Sequence, residues 1–123
     1  MKVQTEVSAE KLRGGFYTPE PLVRACLDRV QALVPSRTAL RLLEPSAGDG
    51  AFFRGLELHP LGKQIETVLG IEPFRSEAAK CSSVVSRGAL TGKVRRTSAL
   101  KWALSSREQF DLAVGNPPFV RFQ

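Results

Sequence analysis

Three short stretches of this chain hold residue types whose spacing could do chemistry. The first is Asn116-Pro117-Pro118-Phe119. Two consecutive prolines stiffen the backbone and remove two N–H donors, which leaves carbonyl oxygens exposed as acceptors. The Asn116 amide oxygen and the Pro117 carbonyl can together accept from one exocyclic amine, and Phe119 can stack on a planar base. The same residues after a strand also make a plain turn. The second stretch is Glu44-Pro45-Ser46-Ala47-Gly48-Asp49-Gly50. Its glycines let the backbone turn tightly and approach a ligand with no Cβ in the way. The helix that follows offers free N–H groups to an anionic group such as a carboxylate. An ordinary strand-to-helix turn reads the same way. Phe53 stands where the third glycine of a dinucleotide fingerprint would be, and no G-K-[ST] phosphate loop occurs. The third feature is Glu72, roughly twenty residues beyond the glycines, where an acid can accept from two ribose hydroxyls. A solvated acid at a strand end is the competing reading. A fourth stretch, Gly15-Phe16-Tyr17-Thr18-Pro19, reads alone only as a helix cap preceded by two aromatics.

The elements that must position these residues alternate. Thr18 predicts a cap, Pro19 suits a first helical position and Glu20 complements the positive helix end. Leu22, Val23, Cys26, Leu27, Val30, Leu33 and Val34 follow at helical spacing, with Arg24, Asp28 and Arg29 off the stripe. The helix should stop before Pro35. Strands are predicted over 39–44, 66–72, 93–100 and 110–115, and helices over 51–58 and 73–85, with a loop around His59-Pro60 and Gly62. Strands alternating with helices imply a parallel sheet, whose ligand sits at the carboxyl ends of the strands. PSAGDG, Glu72 and NPPF all fall at such ends, and that convergence is the main physical clue.

Composition sets the class. Hydrophobic residues make up 42% and charged residues 24% of the 123 residues, which excludes disorder, collagen-like repeats and coiled coil. The length predicts a single domain. No stretch approaches a membrane span, and the N-terminus lacks an apolar signal core. Cys26 and Cys81 lack partners at metal spacing, so inert thiols in a reducing cytoplasm are predicted, with no metal site. A net charge of +6 permits nucleic acid as a partner without requiring it. Lys93, Arg95, Arg96 and Lys101 form a small basic cluster that reads as a solvated face or as phosphate contacts. His59 is predicted at the surface without a partner, and Trp102 at a core, rim or cofactor edge.

Taken in order, GFYTP, LEPSAGDGAF, GIEPF and VGNPPF resemble the N-terminal half of a gamma-class adenine-N6 DNA methyltransferase of restriction–modification systems. The resemblance covers roughly residues 11–122. It implies a Rossmann-like α/β fold dependent on S-adenosylmethionine, here incomplete: about four parallel strands with flanking helices and an N-terminal helix. It further implies one partial domain, with an N-terminal arm and helix in 1–36 and the cofactor and NPPF half of the sheet in 37–123. Phe16, Tyr17, Thr18 and Pro19 match the segment closing over the methionine end of the cofactor. Glu44, Ser46, Gly48 and Gly50 match the loop around its amino-acid moiety. Glu72 matches the ribose acid, and Pro73 and Phe74 flank the adenine. Asn116, Pro117, Pro118 and Phe119 match the catalytic tetrapeptide acting on an adenine flipped out of duplex DNA.

Two departures from that pattern carry expectations. Ser98 stands where the family usually places an acid for the adenine amine, and a hydroxyl lacks the charge-assisted bond. The family has further strands and a DNA-recognition region beyond the tetrapeptide, so a fragment or a split subunit needing a C-terminal half is expected. The FDLAVG strand would then lie at an open edge. Competing readings are a cofactor-binding module without catalysis and a methyltransferase acting on RNA guanine amines or protein glutamine amides.

Overall fold

The computed structural model describes residues 17–117, so Phe16, Pro118 and Phe119 lie outside the described residues. The N-terminal helix, α1 (Glu20–Leu33), buries Val23 and Leu27 and turns Arg24, Asp28 and Arg29 to solvent. Leu22 and Leu33, although on the apolar stripe, are exposed at its fringe. Pro19, not Thr18, occupies the N-cap, with no side-chain cap bond, and Pro21 lies in the first turn. A proline carbonyl serves there because Pro19 is extended and its oxygen accepts from the Leu22 and Val23 N–H groups (both 3.1 Å). Val34 leaves helical geometry before Pro35, as the residue ahead of a proline must.

Strand β1 (Leu40–Glu44) alternates, burying Leu40, Leu42 and Glu44 on one face. Helix α2 (Ala51–Glu57) follows the glycine turn and buries Phe52, Phe53 and Leu56. Strand β2 (Ile65–Ile71) is buried continuously from Val68 on, as befits a strand flanked on both sides. Helix α3 (Arg75–Arg87) buries Ala78, Cys81 and Val85. Strand β3 (Gly92–Arg95) is short. The segment 93–100 is therefore not one strand. It divides because the Ser98 hydroxyl accepts from the Lys101 N–H (3.1 Å) and caps α4 (Ala99–Ser105). Strand β4 (Leu112–Ala113) is only two residues by pairing, extended by ladder bonds from the Asp111 N–H to the Arg41 carbonyl and the Val114 N–H to the Leu43 carbonyl.

All pairings are parallel, in the order β3-β2-β1-β4. The chain builds outward from β1 through β2 to β3, then returns to the opposite side of β1. That reversal creates a crevice beyond the carboxyl ends of β1 and β4, where open α/β sheets bind ligands. The core lies on one face, where Leu42 and Val68, paired across the strands, meet Leu27, Phe53 and Leu56. Burying each such side chain contributes about 1.5–3 kcal/mol.

His59 is not the isolated surface residue its loop position suggests. Its Nδ1 accepts from the Leu61 N–H (3.0 Å), capping a short 3₁₀ turn over Pro60–Gln64, and its Nε2 lies 2.7 Å from Asp28 of α1. This network assigns the neutral tautomer with hydrogen on Nε2. His59→Ala is expected to lower stability by about 1–2 kcal/mol. His59→Asn, which keeps a short acceptor for Leu61, should lose less, and denaturant midpoints of the two variants would show the difference. Among the described residues no helix is long and apolar enough to cross a membrane.

Candidate functional site

Glu44 closes β1 in phase with Leu40 and Leu42, so the strand alternation drives it inward to 1% exposure. Its Oε1 accepts from the Ser46 N–H (2.8 Å) and the Ser46 hydroxyl (3.1 Å). Burial pushes its carboxyl up to about 7, against those two hydrogen bonds, and the nearby Glu72 charge adds to the rise. Glu72, just past β2, is also buried. Its Oε1 accepts from the Gly48 N–H (3.1 Å) and its Oε2 from the Phe74 N–H (2.7 Å). One carboxylate thus ties the loop after β1 to the loop after β2.

The glycines divide the labour. Gly48 (φ +56°) and Gly50 (φ +94°) both take left-handed backbone, which L side chains rarely adopt. A Cβ at Gly50 would press on the Cys81 backbone and Val84 at 3.2 Å, so Gly50 lets α3 approach. Among the described residues, a Cβ at Gly48 would meet nothing nearer than the Ser46 carbonyl at 4.0 Å, so none of them crowds Gly48. Asp49 is held by Arg54 through its side chain (3.0 Å) and its carbonyl (3.1 Å). Cys81, buried beneath this loop, has its thiol pushed up to about 12 by burial first and by the Glu44, Asp49 and Glu72 charges next. It is inert as a nucleophile.

The motif nearest the chain's start meets the one nearest its end. Asn116, just beyond β4, donates from Nδ2 to the Thr18 Oγ1 at 3.4 Å, across 98 residues of sequence. Tyr17 donates to Glu77 of α3 (3.2 Å) and accepts from Lys80 (3.2 Å), whose ammonium lies 5.7 Å from the ring centre. Beneath Asn116, Gly115 passes so close to the Glu44 carboxylate and the Ser46 hydroxyl that a Cβ there would collide with the carboxylate.

Of the residues singled out in the sequence, Tyr17, Thr18, Glu44, Ser46, Gly48, Gly50, Glu72, Phe74 and Asn116 come together through these contacts around the carboxyl ends of β1, β2 and β4. Pro19, Pro73 and Pro117 are exposed beside them. Ser98 caps α4, and among the described residues no hydrogen bond joins it to the other site residues. Trp102 is half-buried against Phe110 (6.0 Å between ring centres), a rim position. Lys93, Arg95, Arg96 and Lys101 are all exposed. The role of Gly115 escaped the sequence reading, although a glycine joining an apolar strand to Asn-Pro-Pro was a visible sign of close backbone approach. Among the described residues no cluster of three or more His, Cys, Asp or Glu could hold a metal ion.

A parallel sheet with this strand order, a left-handed glycine loop after β1 and an acid after β2 is an incomplete Rossmann-like α/β fold. Two solved structures share it. The modification subunit of a putative type I restriction enzyme from Vibrio vulnificus YJ016 has a TM-score of 0.60 at 21% identity, covering 94% of this chain and 27% of that one. The putative methyltransferase yhhF from Escherichia coli has a TM-score of 0.51 at 22% identity, covering 69% and 45%. In sequence, the chain is similar to the type II methyltransferase M.PaeR7I of Pseudomonas aeruginosa, at 34% identity over 66% of this chain. The chain spans 18% of that relative's length. The resemblance carried by the four motifs is therefore shown: the chain resembles a piece of a restriction–modification methyltransferase. No family model matches it.

Proposed function

We propose that this chain is the cofactor-binding and amine-accepting part of a DNA methyltransferase that uses S-adenosylmethionine and acts on the N6 amine of a flipped-out adenine. The observation that carries the reading is the convergence of Thr18, the Glu44–Gly50 loop, Glu72 and Asn116 at one end of the sheet. The residues suit the cofactor in shape and charge. None of the described residues crowds Gly48, and the Glu44 and Glu72 carboxyl groups are both buried beside it. Acids suit a ligand whose sulfonium and ammonium outweigh its one carboxylate. When bound, the cofactor supplies an electrophilic methyl group.

The chain's own residues then do three things. Glu72, at the β2 end, accepts from ribose hydroxyls, and Pro73 and Phe74 flank the adenine ring of the cofactor. The Asn116 amide oxygen and the Pro117 carbonyl accept the two hydrogens of the target amine, which localises its nitrogen lone pair for attack. Asn116 orients and does not act as a base, since an amide does not titrate usefully. Positioning of this kind is the main source of rate in a direct displacement. Phe119 stacks on the flipped base, and DNA is the partner, joined by whatever region reads its sequence.

The test is transfer of a labelled methyl group from S-adenosylmethionine to unmethylated plasmid DNA, with the product nucleosides separated by mass spectrometry. N6-methyladenine supports the reading. Label on RNA or protein instead, or S-adenosylmethionine binding with no transfer even after a C-terminal half is supplied, sinks it.

A further inference from the structure

We propose that Glu44 holds a proton in the free chain and gives it up to solvent when the cationic cofactor binds, so that S-adenosylmethionine capture and proton release are one event; this rests on the function proposed above. The surroundings of Glu44 are those of a neutral acid. Its side chain ends β1 on the core face at 1% exposure. Among the described residues its hydrogen bonds, from the Ser46 N–H and the Ser46 hydroxyl, fall on Oε1, and Oε2 accepts none. The Gly115 backbone closes over the same carboxyl, with no room there for a side chain. Glu72 is built differently, with a backbone donor on each oxygen, from Gly48 and from Phe74. A buried carboxylate is costly unless it is paired and fully hydrogen-bonded.

Among the described residues nothing offsets a charge on Glu44. Its buried neighbour at the end of β2, Glu72, is another acid. Cys81 of α3 contributes a thiol, and Asp49 of the glycine loop is a third acid, already paired with Arg54 of α2. From β4 only the Gly115 backbone faces it. Burial accordingly raises the Glu44 carboxyl to about 7. A ligand with a sulfonium and an ammonium brings the missing positive charge. An opposite charge within about 4–6 Å lowers the pKa of a carboxyl by about 1–3. The O–H bond of Glu44 then breaks, its electron pair stays on the carboxylate, and the proton passes to the buffer. Below about pH 7 the free chain must lose a proton in order to bind, so affinity falls as pH falls.

Calorimetric titration counts the proton directly. The full chain is titrated with S-adenosylmethionine at about pH 6 in two buffers of different ionisation enthalpy, so that any proton released changes the observed heat. The wild type should release about 0.4–0.9 proton per cofactor bound, and its dissociation constant should rise about 4- to 16-fold between about pH 7 and about pH 5.5. Glu44→Gln has no proton to give. Its release should be near zero, and its dissociation constant should stay flat over the same range. The ligand's own ammonium keeps its proton there, so the release comes from the chain.

Two results would overturn the proposal alone. One is wild-type binding without proton release, which needs no variant and stands even where Glu44→Gln fails to fold. The other is equal release from Glu44→Gln, which assigns the proton to another group. A wild-type chain that binds no S-adenosylmethionine at any pH sinks the underlying function, and this proposal with it. The binding heat reads the function and its dependence on buffer reads Glu44, so the two failures are told apart.

Discussion

Glu72→Ala is expected to melt about 10 °C below the wild type, on a scale of a few degrees per kcal/mol for a domain of this size, and to bind S-adenosylmethionine at least about tenfold more weakly, or 1.4 kcal/mol. The stability loss follows from what the carboxylate holds. Its two oxygens accept from the Gly48 and Phe74 N–H groups. Leaving a partly buried donor without an acceptor costs about 1–3 kcal/mol, and water entering the space left by the side chain returns part of it. A net loss of about 2–4 kcal/mol results. Glu72→Gln separates the parts. Its one amide oxygen can serve one N–H, while its NH2 group meets the other as donor against donor, so it too should be destabilised. Thermal melts and calorimetric titrations of the same samples check both effects. Glu72→Ala with wild-type affinity removes the ribose assignment, and a wild-type melting temperature removes the bridging role.

Glu44→Gln should stabilise the chain at high pH and lose that effect at low pH. In the folded chain the Glu44 carboxyl sits at about 7 against its ordinary 4.5, mainly because burial penalises the charge. Between those two values the folded chain keeps a proton that the unfolded chain has released. Stability therefore falls as pH rises through this window, by about 3 kcal/mol in all for one proton. Below the window both states are protonated and the loss disappears. Glutamine keeps an acceptor oxygen for the Ser46 N–H and hydroxyl and never ionises. Near pH 8 the variant should be the more stable chain, and near pH 5 its advantage should be gone. Denaturant midpoints of both chains across that range check the difference, and two parallel curves would rule out a buried titrating Glu44.

Much of the fold was readable because the strands end in residues that cannot continue them. Pro35 stops α1, Pro45 stands directly after β1, and Gly115-Asn116-Pro117 keeps β4 short. The helical stripe of Val23, Cys26, Leu27 and Val30 marked the face of α1 that packs inward. The boundary between β3 and α4 was not readable. Residues 97–100 suit a strand by composition, and only the capping geometry of Ser98 shows that the helix has already begun. The site was legible as types of residue and as strand ends. Its wiring was not, because hydrogen bonds between partners far apart in sequence leave no spacing signature. The bonds from Asn116 to Thr18 and from Gly48 to Glu72 are of this kind, as is the contact of His59 with Asp28. The burial of Glu44 was an intermediate case. The alternation of Leu40, Leu42 and Glu44 carried it in plain view, but an acid at the end of a strand is more often read as solvated.

The order β3-β2-β1-β4 also dictates how the site is assembled in time. Strands β1 and β2 and the loop between Gly48 and Glu72 are joined over short stretches of chain, so their ordering closes small loops. The Thr18–Asn116 contact closes nearly the whole described chain at once. Closure entropy grows with the logarithm of loop length, and topologies rich in distant contacts fold more slowly. The loops that Glu72 ties together are therefore closed over a short stretch of chain, whereas Asn116 reaches Thr18 only when β4 is docked on β1.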